Sequence, residues 1–221
     1  SNAAISNSLQ TQWLIENLLT YDKTFADRHT INFVGLYSNE QLTSNRSRIT
    51  RNGITSDAFQ FYNLGHSEEE AVINPSQEGN YPDQDYTQWG LTSYMARLMY
   101  SYDNKYFISG TVRSDGSSRL APGNKWFTYP AVSVGWTVSN ESFMKNLSWA
   151  NLVKLRAGYG TTSNQAVTPY STLGALGTRP YNFGSTNSTG VYVTQSPNPD
   201  LGWEFSTTWN YGLDFGFFNN R

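Results

Sequence analysis

Hydrophobic and polar positions alternate with a period of two along most of the chain. The longest unbroken run sets Phe205, Thr207, Trp209, Tyr211, Leu213, Phe215 and Phe217 against Ser206, Thr208, Asn210, Gly212, Asp214 and Gly216. Successive side chains of a strand point to opposite faces, so this run predicts a strand with one apolar and one wet face. Pro130, Val132, Val134, Trp136 and Val138 alternate with Ala131, Ser133, Gly135, Thr137 and Ser139, and Val153, Leu155, Ala157 and Tyr159 with Lys154, Arg156, Gly158 and Gly160. Tyr106, Ile108, Gly110 and Val112 give another strand, and Tyr94, Ala96, Leu98, Tyr100 and Tyr102 a less regular one. Near the start, Trp13, Ile15, Leu19 and Tyr21, then Ile31, Phe33 and Tyr37, mark two more, although Leu14, Leu18, Val34 and Leu36 also populate their second face. The prediction is an all-β, antiparallel up-and-down meander of about seven long strands.

The connections alternate in length. Residues 26–28 form a tight turn and Asp103-Asn104 a two-residue hairpin turn, because Asn and Asp tolerate positive φ. Long polar loops are expected at about 42–87, 116–127 and 161–203, with 140–151 intermediate. In a meander every second connection lies at the same end, so one end carries short turns and the other long loops. Outer-membrane barrels have this asymmetry.

Composition sharpens the picture. Charged residues are 14% and aromatics 15%, with 7 Trp, 15 Tyr and 12 Phe, against roughly 25% charged in an average soluble domain. Mean hydropathy is nonetheless -0.55, because Asn, Ser, Thr and Gln fill the gap. The net charge of -2 and the lack of a basic stripe remove the electrostatic basis for nucleic-acid binding. With Cys 0, thiolate chemistry, disulfides and Cys-based zinc sites are excluded. No window is long and apolar enough for a membrane helix, a test that does not bear on membrane strands. Ser1, Asn2 and Ala3 read as an expression-tag remnant, leaving 4–221 as the domain.

On alternation alone two architectures stay open. A soluble antiparallel barrel or sandwich would turn the apolar face inward, and a carbohydrate-binding module of that kind is the alternative function. A membrane barrel would turn the same face to lipid. Strands of roughly 10 to 15 residues exceed the usual soluble length and suffice for a tilted crossing. Tyr100, Tyr102, Tyr106 and Phe107 bracket the Asp103-Asn104 turn, where an interfacial aromatic girdle would sit.

Four segments bear on the choice: Tyr102–Arg119 (YDNKYFISGTVRSDGSSR), Trp126–Phe143 (WFTYPAVSVGWTVSNESF), Leu152–Gln165 (LVKLRAGYGTTSNQ) and Asn198–Arg221 (NPDLGWEFSTTWNYGLDFGFFNNR). Together, in this order, they resemble the SusC/RagA-type TonB-dependent transporters, outer-membrane nutrient importers that work with a surface lipoprotein. The likeness is looser over residues 8–100, and 42–88 match no motif. The resemblance implies a large transmembrane β-barrel in the cell outer membrane. Val153, Leu155, Trp209 and Phe215 would face lipid, and Lys154, Arg156 and Asp214 the lumen. The long loops would be extracellular, meeting a glycan or peptide ligand and a SusD-like lipoprotein, while the full-length parent would engage TonB. Seven strands do not make a complete barrel, and neither a plug nor a TonB-box segment is legible, so an internal piece of a longer protein is expected. Isolated, such a piece is expected to need detergent, to self-associate through its edges, or to curl into a smaller assembly.

No catalytic constellation is present, and no enzyme activity, cofactor or metal is expected. His29 and His66 are isolated, Glu68-Glu69-Glu70 reads as a solvated run, and Asp83 and Asp85 near Asn80 lack the glycine and distal Glu of a calcium loop. Gly158 and Gly160 open no helix, so they do not form a phosphate loop. The ligand-contact candidates are Trp126, Asn164, Gln165, Tyr181 and Trp203, aromatic or amide groups on or beside the long loops. Trp126 and Trp203 have a second reading as girdle residues.

Overall fold

The computed structural model describes residues 2–54, 56, 58, 62–66, 83–144, 146, 149–184 and 186–217. Nine strands run in order: β1 (Asn2–Phe25), β2 (His29–Asn52), β3 (Asp83–Tyr102), β4 (Tyr106–Ser117), β5 (Trp126–Thr137), β6 (Ala150–Asn164), β7 (Ala175–Phe183), β8 (Thr186–Gln195) and β9 (Glu204–Phe217). Seven form one antiparallel sheet in the order β1-β2-β3-β4-β5-β6-β9, and β7 and β8 form a separate two-stranded ladder. The meander of seven long strands is therefore present.

The tight turns follow from local backbone chemistry. Asp103 and Asn104 both take positive φ (51° and 53°), and Lys105 N–H donates to Tyr102 C=O at 2.9 Å. This is the mirror-image turn whose twist matches the flanking strands. Ala26 and Asp27 repeat it at φ 49° and 52°, closing β1 onto β2.

Two expected loops are shorter than the sequence indicates. β2 continues to Asn52 and β3 already starts at Asp83, so strand occupies both ends of the 42–87 excursion. β6 runs to Asn164, and the 161–203 segment contains the β7–β8 hairpin. The reason is that ladder hydrogen bonds are backbone bonds. A Ser/Thr/Asn/Gly-rich stretch can extend a strand once its neighbour supplies a register. Glu68-Glu69-Glu70 and Asn80 lie outside the described residues.

The chain clusters into two compact units: Ser1–Trp13, Gln41–Trp89 and Thr168–Pro199 form one, and Leu14–Glu40, Gly90–Val167 and Asp200–Arg221 the other. Among the described residues, buried apolar side chains are few: Ile54 in the first unit, and Leu120, Ala121 and Ala150 in the second. Large hydrophobic side chains instead stand exposed along the strands, among them Ile108, Val112, Val132, Val134, Leu155, Trp209, Leu213 and Phe215. A water-soluble sandwich would cover these with a second sheet. Here the second unit contains one sheet and leaves them open.

Candidate functional site: two chemically sorted faces and the long-loop end

The strand registers settle which side chains share a face of the second unit. Ile108 lies opposite Val134 and Tyr100, Val134 opposite Ala157, Trp136 opposite Leu155, Leu155 opposite Leu213, and Tyr159 opposite Trp209. These chains make one continuous apolar face over five strands. Every Asp, Glu, Lys or Arg in the strands of this sheet from Gly90 onward falls on the opposite face: Arg97, Arg113, Asp115, Lys154, Arg156, Glu204 and Asp214. An apolar face free of charge against a polar face holding all of it is the arrangement a bilayer selects, because a charge at membrane depth costs several kcal/mol.

Aromatic rings bound the apolar face at both ends. At the short-turn end, Tyr106 stacks between Tyr102 and Trp136, with centroids at 6.3 and 6.4 Å. His29 joins them, with its ring 5.2 Å from Phe25 and 4.9 Å from Tyr102 and its Nδ1 2.8 Å from the Tyr100 hydroxyl. At the long-loop end, Trp126 stacks on Tyr94 at 5.9 Å and Tyr94 lies 5.3 Å from Tyr37. Trp126 and Trp136, ten residues apart on β5, are separated by about 33 Å along the strand, or about 25 Å once tilted by roughly 40°. That is the height of the apolar band of an outer-membrane barrel. Just inside the long-loop girdle, hydroxyls pair with one another: Thr128 donates to Ser114 at 2.8 Å, and Thr161 and Thr207 lie 3.2 Å apart.

Phe107 is not part of the girdle, which corrects the sequence reading. Consecutive strand residues point to opposite faces, so with Tyr106 on the apolar face Phe107 turns to the polar one, where Lys154 Nζ sits 4.4 Å from its ring centroid. There a cleft of about 550 Å³ is lined by Asn32, Phe107, Ser109, Ser133, Lys154 and Arg156, among others. Arg156 pairs with Asp214 at 2.7 Å. Further along, Arg113 Nε donates to both oxygens of the buried Asp115, at 2.9 and 3.1 Å, and its Nη2 donates to Ser93 Oγ at 3.2 Å. The Tyr129 hydroxyl donates to Asp115 as well, so this buried carboxylate is well partnered.

Glu141 ties the short-turn end together. It accepts from the Tyr106 hydroxyl and, at 3.2 Å, from Trp136 Nε1, and lies 3.8 Å from Lys105 Nζ. The Tyr106 hydrogen bond, chiefly, holds the Glu141 carboxyl below its ordinary value. Asp103, whose carboxylate is 3.0 Å from Lys105 Nζ, raises that lysine above its own. Nothing in the local sequence around Glu141 signals this role.

Of the five ligand-contact candidates, four occupy the long-loop end of the second unit. Trp126 is the first residue of β5 and Asn164 the last of β6, with Asn164 in register with Glu204 of β9. Trp126 is 53% exposed and lies flat over Gly116, where a Cβ would meet the indole at 2.5 Å. Trp203 Nε1 donates to Lys125 C=O at 3.0 Å and is half-buried. Asn164 Oδ1 accepts from Ala166 N–H at 2.9 Å, a local turn that occupies it structurally. Gln165 keeps a buried Oε1 without a partner. Tyr181 belongs to the other unit, on β7, and is 59% exposed. Among the described residues no group of His, Asp or Glu is placed to hold a metal ion.

Comparison with known proteins agrees with this geometry. A family model described as TonB dependent receptor-like, beta-barrel, matches residues 2–221. TonB-dependent receptor P39 of Formosa agariphila is 34% identical over 206 residues, which is 93% of this chain and 19% of that protein. TonB-dependent receptor SusC of Bacteroides thetaiotaomicron is 41% identical over 139 residues, 59% of this chain and 14% of that protein. A solved structure of the RagAB peptide transporter superposes with a TM-score of 0.84 at 21% identity, over 100% of this chain and 23% of that one. The chain thus spans about a fifth of the length of the relatives it matches.

Proposed function

The chain belongs to the TonB dependent receptor-like β-barrel family, a family of transporters and not enzymes, and from that premise we propose that it supplies barrel wall and ligand-facing loops to an outer-membrane nutrient importer. The observation that carries the reading is the sorting of the β3–β6 and β9 sheet into a charge-free apolar face and a charged face, bounded by aromatic girdles about 25 Å apart. The apolar face meets lipid. The polar face, with Arg113, Asp115, Lys154 and Arg156, lines the transport interior. This segment performs no chemical step of its own; it encloses, and its long-loop end contacts what is carried.

The proposed cargo is a glycan or peptide, with a SusD-like lipoprotein as the surface partner and TonB as the energy source of the parent. The named relatives support this reading: one is called SusC and one solved neighbour is a peptide transporter. Gln165 and Trp203 are the proposed contacts at the long-loop end of the second unit and Tyr181 on the hairpin, while Trp126, stacked on Tyr94 at the edge of the apolar face, is assigned to the girdle. Asn164 is retained as a contact through its Nδ2, since its Oδ1 is engaged in the turn.

The test is fractionation of the source cells with an antibody raised against this chain, followed by uptake measurements. The reading expects the reactive protein in the outer-membrane fraction, a co-purifying lipoprotein, and uptake that stops when an uncoupler collapses the proton-motive force. Recovery of the protein in the soluble fraction would sink it.

A further inference from the structure

The β7–β8 hairpin carries a surface that the wall function leaves unused. One of its faces pairs Leu176 with Val193, Thr178 with Val191 and Pro180 with Thr189; the other pairs Gly177 with Tyr192, Arg179 with Gly190 and Tyr181 with Ser188. The glycines on the second face explain how its rings are held. A Cβ on Gly177 would stand 3.0 Å from Tyr192 Cζ and 3.1 Å from Cε1, so the Tyr192 ring lies across the glycine backbone. At Gly190 a Cβ would stand 3.3 Å from the Arg179 carbonyl oxygen, and Tyr181 lies beside it in ordinary contact, its Cδ2 at 3.8 Å. A ring over a strand glycine is held in place without being covered: Tyr192 is 51% exposed, and Tyr181, beside Gly190, 59%.

Between them stands Arg179, exposed and facing a glycine that leaves the guanidinium room. It is the only Asp, Glu, Lys or Arg among residues 168–199. The described ion pairs lie elsewhere, at Lys105, Arg113 and Arg156, so no carboxylate of a described residue neutralises it. A planar cation set between two open aromatic surfaces on a flat ladder offers no pocket for a peptide side chain. It does fit a chain of sugar rings, whose C–H faces stack on tyrosine and whose acidic substituents match the guanidinium fork. Gly177 and Tyr181 are about 13 Å apart along the strand, the reach of a short oligosaccharide rather than one sugar.

We propose that the Tyr192–Arg179–Tyr181 face of the hairpin is a binding platform for an anionic glycan, with the tyrosines stacking on sugar rings and Arg179 binding a carboxylate or sulfate. The proposal rests on the importer reading for its setting, the hairpin being among the segments that meet ligand, but its chemistry is testable separately. The full chain in detergent micelles is titrated calorimetrically with tetragalacturonate and with the neutral galactotetraose. Tetragalacturonate binds about tenfold more tightly, Arg179→Gln abolishes that preference with an unchanged circular dichroism spectrum, and Tyr181→Ala weakens both sugars. Tyr192→Phe keeps the ring over Gly177 and retains binding, which separates lost contact from a lost hairpin. Equal affinity for the two sugars, binding of neither, or a preference that survives Arg179→Gln overturns the platform. Binding of tetragalacturonate by a protein found outside the outer membrane keeps the platform and removes the importer; outer-membrane location without the preference does the reverse.

Discussion

In the β3–β6 and β9 sheet, alternation sorts side chains by charge as well as by hydropathy, whereas in the β7–β8 hairpin it does not. The sheet places Ile108, Val134, Leu155 and Leu213 on one face and all seven of its strand charges from Arg97 to Asp214 on the other. The hairpin sets its lone charge, Arg179, on the same face as Tyr181 and Tyr192, and gives its other face to Leu176, Val191 and Val193. Both regions alternate, and both expose large apolar groups. The difference is what each could tolerate against lipid. An Arg flanked by tyrosines, with no counter-charge among the described residues, is out of place in hydrocarbon and well placed in water. Alternation identifies strands; the distribution of charge across the faces identifies their surroundings.

That contrast can be broken most forcefully in the sheet. Val134→Arg places a cation mid-band on the apolar face and should cost about 2–4 kcal/mol in folding into phosphatidylcholine vesicles, measured by urea titration. Ser133→Arg, one residue away on the polar face beside Ser109, should cost much less, and equal penalties would show that the faces are not sorted by solvent. Next in size is the polar face itself. Asp115→Ala strands Arg113 and the Tyr129 hydroxyl and should destabilise by about 2 kcal/mol, while Asp214→Ala, whose pair with Arg156 is largely exposed, should cost about 0.5 kcal/mol.

Smaller effects probe the girdles. Gly116→Ala forces the Trp126 indole off the strand, because its Cβ would stand 2.5 Å away. About 1–2 kcal/mol and a shifted tryptophan emission are expected. At the other end, the sign of the Glu141 effect follows from its lowered pKa. Its contribution is present above the unfolded carboxylate value of about 4.3 and is lost as pH falls through the lower folded value. Wild type should therefore lose more stability than Glu141→Gln in that acidic window, and the two should run parallel above it.

The seven sheet strands were legible because each core carries several consecutive alternations, as in Phe205–Phe217. The hairpin was not, because Gly174, Gly177, Pro180, Gly184 and Gly190 interrupt the pattern and read as loop punctuation. Of these, Gly177 and Gly190 are instead strand positions beside which the Tyr192 and Tyr181 rings lie, and Gly184 takes the positive φ of 63° in the turn. The strand portion of β2 beyond Leu42 was hidden by its Asn, Ser, Thr and Arg content. Among the candidate contacts, Trp126 and Trp203 were singled out by type and place alone, and the face of Phe107 was deducible from its neighbour Tyr106. The roles of His29 and Glu141 were not legible: they depend on Tyr100 and Tyr106, which lie 71 and 35 residues away in the chain.

Spin labels placed one at a time from Val132 to Trp136 in the vesicle-reconstituted chain test the central claim most directly, through collision with lipid-soluble oxygen and with a water-soluble nickel chelate. The account predicts a period of two: oxygen access high at 132, 134 and 136, nickel access high at 133 and 135. Accessibility to nickel at all five positions, or an alternation of the opposite phase, would contradict it.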